Sequence, residues 1–243
     1  DTRSVRDGVS RLYDPEDWED YGFQSSSRTE ANLTFRGGAE TTKYFMSFGY
    51  LNDVGYIINS DFSRYNATLN LESTVRDWLT TSARMSYAGT ETNNNGQSSD
   101  SGSIFWFVDN LPPIFPLYLR DESGAIVEDP IFGGNQYDYG VGRAFGALTN
   151  SIADAHFDKS QSKQNQLSGN FAANIKFTKN LTLENTFGAQ FFTRKYNDLR
   201  NPFYGSAAGQ GGYVYKVDTQ MLNYNLLNLL RYKNNFGGHF VEA

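Results

Sequence analysis

The side chains best suited to chemistry lie in one long segment, residues 89–165, which interrupts regions of alternating polar and apolar residues. Aromatic rings in this segment could stack on sugar rings, while neighbouring polar groups hydrogen-bond to hydroxyls. The alternative is that these rings form the core of a folded loop, because buried aromatic side chains usually pack. The residues that we predict to bind a substrate are Trp106, Asp109, Asn110, Tyr118, Arg120, Tyr137 and Tyr139.

The remaining residues argue against an enzyme. The two histidines, His156 and His239, are far apart in the chain and form no metal-spaced pair. The sequence contains no cysteine, and it lacks a G-x-S-x-G nucleophile elbow and a Walker phosphate-binding loop. We therefore predict no catalytic residue and no metal site.

One acidic stretch resembles a calcium loop at first sight. It runs from Asp121 to Gly124 and is followed by Glu128 and Asp129. An EF-hand requires ligands at alternate positions and a late glutamate, and this spacing does not match. A turn with glycine in the left-handed conformation fits better. Weak calcium binding by the clustered carboxylates stays open as the alternative, and no other cofactor is predicted.

The composition favours an all-β protein with one polar and one apolar face. Only 39% of the residues are hydrophobic and the mean hydropathy is -0.56, yet 16% are aromatic. A disordered chain would lack these aromatics. The net charge is -6, and the sequence contains no stripe of basic residues that would bind nucleic acid. No apolar run is long enough for a transmembrane helix, but barrel strands are short and alternate.

Alternation with period two recurs along the chain. In Thr29–Arg36 the residues Ala31, Leu33 and Phe35 share one face, and polar residues occupy the other. The pattern returns after the long segment, in Leu167–Phe177 and Leu181–Phe191, and weakens in Asn223–Tyr232. Strands of a soluble β-sandwich also alternate, so the pattern alone leaves both architectures open.

The lengths of the connections separate these two architectures. The connections alternate along the chain between short and long, as in a barrel with tight turns on one side of a membrane. The short ones are Gly37–Glu40, Ser73–Asp77, Thr178–Asn180 and Lys233–Gly238; the long ones are Asn52–Asp61, residues 89–165 and Tyr196–Val217. We therefore predict an antiparallel transmembrane β-barrel segment, with residues 89–165 folded over the barrel mouth.

Several motifs resemble the SusC/RagA class of TonB-dependent transporters of Bacteroidetes. They comprise the Gly37-Gly38 turn, the strand start Lys43-Tyr44-Phe45, the strand exit Gly49-Tyr50-Leu51, the return through Ile58-Asn59-Ser60, the turn Asp77-Trp78-Leu79 and the loop motifs Leu111–Pro116 and Asn201–Gly205. Each motif is weak alone, but their joint order covers most of the chain. The sequence contains about eight strands, and the resemblance implies that they belong to a barrel of about 22 strands.

The resemblance also implies a domain organisation and a function. Residues 1–28 would lead into the strands, and 29–243 would form a partial TonB-dependent barrel that includes the extracellular loop 89–165. The complete protein would import glycans or peptides across the bacterial outer membrane. It would work with a SusD-like surface lipoprotein and would contact TonB through an N-terminal region that is missing here, so we expect an internal fragment.

Two other functions stay open from the residues alone. One is a siderophore or cobalamin receptor of the same TonB-dependent class without a lid partner. The other is a soluble β-rich carbohydrate-binding module. Both transporter interpretations require contact with outer-membrane lipid, whereas the soluble module does not.

Overall fold

The protein is described here by a computed structural model, which covers residues 3–6, 9–12, 15–94, 102–143 and 146–243. Its principal element is one eight-stranded antiparallel sheet in which neighbours in sequence are neighbours in space. Its strands, in sheet order, are β3 (Ser27–Gly38), β4 (Thr42–Val54), β5 (Ser60–Arg76), β6 (Leu79–Asn94), β7 (Lys159–Lys176), β8 (Leu181–Arg200), β9 (Tyr213–Phe236) and β10 (His239–Glu242).

Shorter elements precede or interrupt this sheet. They are a separate two-stranded pair, β1 (Arg3–Arg6) and β2 (Val9–Leu12), and the helices α1 (Glu19–Gly22), α2 (Ile104–Asn110) and α3 (Ser151–Phe157). A single 3-10 turn, Ala208–Gln210, lies between β8 and β9.

One face of the sheet carries an apolar band that crosses seven strands. The register aligns a continuous row of side chains across seven strands: Leu33, Phe48, Ala67, Tyr87, Leu167, Phe191 and Leu222. Many large side chains of this face are exposed, among them Leu33 and Phe48. Exposed apolar area of this extent is costly in water. The face is therefore suited to hydrocarbon.

The height of this apolar band matches a bilayer. On β8 it extends from Leu181 to Phe191, which corresponds to about 33 Å along a strand and about 25 Å along the normal of a strand tilted by about 40°. Asn185 interrupts the band, and its side chain donates a hydrogen bond to Asn228 on β9. This pairing satisfies polar groups that would otherwise face lipid alone.

The opposite face carries the polar residues, as the alternation predicted. Lys43 and Glu72 lie directly opposite each other on β4 and β5, and Glu184 forms an ion pair with Arg231 at 2.8 Å. Strand β9 departs from this pattern because Leu227 and Leu229 share the polar face. The alternation is weak at this point of the sequence for the same reason.

The connections keep the predicted parity. One edge of the sheet bears the turns 39–41, 77–78, 177–180 and 237–238, and the other bears 55–59, 95–158 and 201–212. Several connections are shorter than the sequence predicted, among them Tyr196–Val217, which is reduced to 201–212. The connection expected at Asn52–Asp61 is only 55–59, because the polar residues on both sides of it still pair.

The predicted loop 89–165 is also shorter in the structure. Pairing between β6 and β7 continues past Gly89–Asn165 to Asn93–Gln161. The residues involved are polar on both faces, so they give no alternation although they remain in the sheet. Strands that rise above the hydrocarbon lose the apolar face that reveals them in a sequence. Residues 95–101 and 144–145 of this loop lie outside the described residues.

Candidate solute-binding cap

A folded unit, which we call the cap, lies at the edge of the sheet that carries the longer connections. It consists of residues 102–143 and 146–158 between β6 and β7, together with residues 15–24, 55–59 and 201–212, which pack on them. The buried apolar clusters of the described residues both lie in the cap. The sheet therefore exposes its apolar face, and the cap contains its own core.

The core of the cap joins segments that are distant in sequence. Trp18, Phe107, Leu111, Leu117 and Ile152 form one buried cluster. The ring of Trp18 meets that of Phe107 edge-on at a centroid distance of 5.0 Å. A second cluster joins Ile57, Ile104 and Ala155. The short helices α2 and α3 are held by these contacts, since helices of seven residues are marginal alone.

Polar contacts attach residues 15–24 to the cap. One carboxylate oxygen of Glu16 accepts a hydrogen bond from the backbone N–H of Leu117 at 2.9 Å. The other forms an ion pair with Arg120 at 3.1 Å. The backbone N–H of Glu16 also donates to the carbonyl of Pro113 at 3.1 Å. The segment before the first long strand is thus part of the cap.

A second set of contacts attaches the β8–β9 connection. Asp158 accepts a hydrogen bond from the backbone N–H of Asn201 at 2.7 Å and forms an ion pair with Arg200 at 3.2 Å. The hydroxyl of Tyr204 donates to Asp129 at 2.9 Å. The same Asp129 oxygen accepts the backbone N–H groups of residues 131 and 132, which fixes a turn at the tip of the cap.

These environments change the acidity of several groups. Burial and the neighbouring charge of Asp158 raise the pKa of Asp154 to about 7, although a hydrogen bond from Tyr139 and the charge of Arg200 act against this rise. Burial raises the pKa of the Tyr139 hydroxyl far above its usual range, and Asp154 raises it further. Burial also acts to raise the pKa of Asp129, but its hydrogen bonds outweigh burial and hold the pKa below its usual range.

All seven residues predicted to bind a substrate lie in the cap, but in different environments. Trp106, Tyr118 and Tyr137 are half-buried against the cap core, and the rings of Tyr118 and Tyr137 meet at 5.0 Å. Tyr139 is 8% exposed, and its hydroxyl donates to Asp154 at 2.9 Å.

The polar members of the predicted set also differ. The guanidinium of Arg120 binds the carboxylate of Glu16 and the carbonyl of Gly124. Asp109 and Asn110 are exposed at the end of α2, where the Asn110 amide donates to the carbonyl of Trp106 at 2.8 Å. Of these side chains, Asp109 and Asn110 are the most accessible to a solute.

Exposed aromatic rings that sequence reasoning missed lie elsewhere on the cap. Phe23, Tyr56 and Phe105 come from three segments and meet at centroid distances of 4.6 to 6.2 Å. About half of the surface of Tyr56 and of Phe105 is exposed, at 51% and 48%. In a second group, Phe132 and Phe203 are exposed and in contact. The rings of each group come from segments that are distant in sequence, so no local pattern could identify these groups.

The exposed charge of the cap is acidic. The exposed carboxylates are Asp17, Glu19, Asp20, Asp109, Asp121, Glu122 and Glu128. Within the cap residues that the structure describes, both arginines are at least partly buried, and no lysine occurs. Asp121 closes a turn by accepting hydrogen bonds from Ser123 and Ala125. Among the described residues, no three histidine or carboxylate side chains come together to hold a metal ion.

Comparison with known proteins supports the resemblance found in the sequence. No protein-family model matches the chain. A TonB-dependent receptor of Formosa agariphila is 22% identical over 231 residues, which cover 92% of this chain and 21% of the relative. The TonB-dependent receptor SusC of Bacteroides thetaiotaomicron is 22% identical over 219 residues, which cover 86% of this chain and 21% of the relative.

A solved structure gives the same result at the level of the fold. The RagAB peptide transporter superposes with a TM-score of 0.66 at 23% identity, over 93% of this chain and 24% of the solved chain. The chain is SusC/RagA-like. This SusC/RagA-like chain thus has the fold of one section of a larger transmembrane β-barrel, as the alternation and the connection lengths predicted.

The chain corresponds to only one section of these relatives. Both are named as TonB-dependent receptors. The SusC/RagA-like chain spans only about a fifth of the length of the curated relatives that it matches. In the described part of the chain, no helix is long and apolar enough to cross a membrane.

Proposed function

We propose that this chain forms part of the wall and the mouth of a TonB-dependent outer-membrane importer of glycans or peptides. The observation that carries the proposal is a sheet with an exposed apolar face and a folded cap on one edge. A soluble carbohydrate-binding module would bury its apolar face under a second layer. Because this face is exposed, a wall in contact with lipid explains it better.

In this function the cap lies at the outer mouth, where the longer connections of outer-membrane barrels are found. A SusD-like lipoprotein would close over it, and TonB would act on the complete transporter. The exposed rings of Tyr56, Phe105, Phe132 and Phe203 support contact with a lid protein or a solute, since aromatic residues are enriched in binding surfaces.

Two classes of cargo fit the cap. Half-buried rings such as Trp106 and Tyr118 suit stacking on neutral sugars, and the RagAB structure carries the name of a peptide transporter. The exposed acidic charge disfavours polyanions through like-charge repulsion. Suitable probes are therefore a neutral oligosaccharide and a basic oligopeptide.

The test uses the complete transporter with its native lid partner. We expect uptake of at least one probe that stops when TonB is deleted, and we expect Trp106→Ala and Tyr118→Ala to weaken binding about tenfold, as for the loss of one aromatic contact of about 1.4 kcal/mol. Trp78→Ala, at a tight turn on the opposite edge, is the control and should bind as the wild type does.

Two outcomes would contradict different parts of the proposal. Unchanged affinity in both cap variants would leave Trp106 and Tyr118 with a packing role only. Uptake of neither probe, or fractionation of the complete protein as a soluble monomer, would refute import of these solutes. TonB-dependent uptake of a siderophore or cobalamin instead would identify the alternative receptor function.

A further inference from the structure

Three carboxylates and one cation meet where the cap joins the end of β8. Asp154 lies in the first turn of α3, and Asp158 follows four residues later as the C-cap of the helix. Arg200 forms ion pairs with Asp158 at 3.2 Å and with Asp198 at 3.1 Å. Asp154 accepts the Tyr139 hydroxyl at 2.9 Å. Arg200 thus forms its ion pairs with Asp158 and Asp198, whereas Asp154 accepts a hydrogen bond from the uncharged hydroxyl of Tyr139.

The β8–β9 connection packs directly on the Asp154 carboxylate. A Cβ atom placed on Gly205 would lie 2.8 Å from the Oδ1 atom of Asp154. Gly205 also has a φ of +79°, a conformation that glycine adopts most readily. This close approach excludes water from one side of the carboxylate, and an ionised carboxylate is costly in such a place.

The ring of Tyr139 extends the contact between the two segments. It stacks on Tyr204 at a centroid distance of 5.8 Å and an angle of 12° between the planes. Tyr204 in turn donates to Asp129. The β8–β9 connection therefore contacts the rest of the cap at Tyr139 and through Gly205, and both of these residues contact Asp154.

The groups that face Asp154 come from each element packed against it. Asp158 of α3 repels its charge, whereas Arg200 of β8 and the Tyr139 hydroxyl favour it. Gly205 contributes backbone only. The burial and the charge of Asp158 prevail, so the pKa of Asp154 in the docked cap is about 7, against an ordinary value of 3.8.

We propose that Asp154 is a proton-operated latch between the cap and the β8–β9 connection. When Asp154 is protonated, the cap stays docked on the connection. When Asp154 ionises, the uncompensated charge beside Asp158 and Gly205 favours undocking, since hydration and distance from Asp158 both stabilise the carboxylate. The latch concerns the cap alone and holds whether or not the protein imports a solute.

The direction of the pH dependence follows from linkage. The docked state binds the Asp154 proton more tightly than the undocked state does, so the contribution of Asp154 to docking is greatest below about pH 4. It weakens progressively as the pH rises toward about 7, and the loss is complete above that value. Between about pH 5 and about pH 8 the opening equilibrium should increase about tenfold to a hundredfold.

The test is hydrogen exchange of the full-length protein in lipid nanodiscs across this pH range, with rates corrected for intrinsic exchange. The wild type should lose protection in residues 129–158 and 201–212 as the pH rises. Asp154→Asn should stay protected at every pH, because its side chain cannot ionise. Asp109→Asn, an exposed carboxylate of the same cap, is the matched control and should keep the wild-type dependence.

A second variant keeps the test decisive if Asp154→Asn does not fold. Tyr139→Phe retains the ring but removes the hydrogen bond that favours the ionised carboxylate, so the midpoint of opening should move to higher pH. Wild-type protection that is independent of pH, the same pH dependence in Asp154→Asn, or a midpoint that moves to lower pH in Tyr139→Phe would each overturn the latch.

Discussion

Trp18 offers a sharp test of the cap as an independently packed unit. This residue precedes the first long strand, yet it is only 3% exposed and lies in the cap core against Phe107. We expect Trp18→Ala to open the cap and to leave the sheet intact, because the barrel strands take no part in that cluster.

The magnitude follows from what the indole loses. Burial of about 200 Å² of side chain contributes about 5 kcal/mol, and the edge-on contact with Phe107 adds about 1 kcal/mol. The indole Nε1–H has no acceptor among the described residues, and its removal returns about 2 kcal/mol. The cap should therefore lose about 4 kcal/mol, within the range for burying and then truncating a large aromatic residue.

Hydrogen exchange of the full-length protein would measure this loss. A change of about 4 kcal/mol corresponds to about a thousandfold faster exchange in residues 104–157, up to the limit of global cap opening. Trp78→Ala is the matched control, since Trp78 is 52% exposed at a tight turn. Unchanged cap exchange in Trp18→Ala, or equal loss of protection in the strands, would refute the idea of a separate cap core.

Two further predictions test the faces of the sheet and the tip of the cap. Phe187→Arg on the apolar face should lower barrel stability by about 2–4 kcal/mol in urea unfolding from liposomes, whereas Gln190→Arg on the polar face should change it little; equal effects would contradict the assignment of the faces. Tyr204→Phe should loosen the turn at Asp129 by about 1 kcal/mol. Because the pKa of Asp129 is depressed, its stabilising contribution is present above about pH 4 and is lost as the pH falls further. Proteolysis of the cap should therefore accelerate in acid. The acceleration should be smaller in Tyr204→Phe, which has already lost part of this contribution.

The strands were predictable because their pattern is local. The period-two pattern of adjacent residues assigns Leu33 and Phe35 to one face of a strand. In the structure, Leu33 lies opposite Phe48 on the neighbouring strand. Polar strand ends such as Thr90 to Asn93 were not predictable as strand, because neither face there is apolar. In this sheet, a strand alternates between apolar and polar residues only where one of its faces contacts hydrocarbon, so the pattern ends where that contact ends.

The cap was predictable as a folded loop, but its partners were not. Tyr204 and Asp129 are 75 residues apart, and Asn59 and Ala155 are 96 apart. Such pairs depend on which connections share an edge of the sheet, and no spacing within one segment carries that information. For the same reason the sequence singled out the rings of the longest loop and missed Tyr56 and Phe203.

The distribution of cap contacts along one edge has a consequence for assembly. The cap collects residues from before β3, from the β4–β5 turn, from the long connection and from the β8–β9 connection. A slip of one residue in any strand pair between them would move these connections by about 3.3 Å relative to one another and exchange the two faces of a strand. The native contacts of the cap are therefore compatible only with the native register of every strand pair between these connections, so the cap couples the registers of strands that do not touch one another.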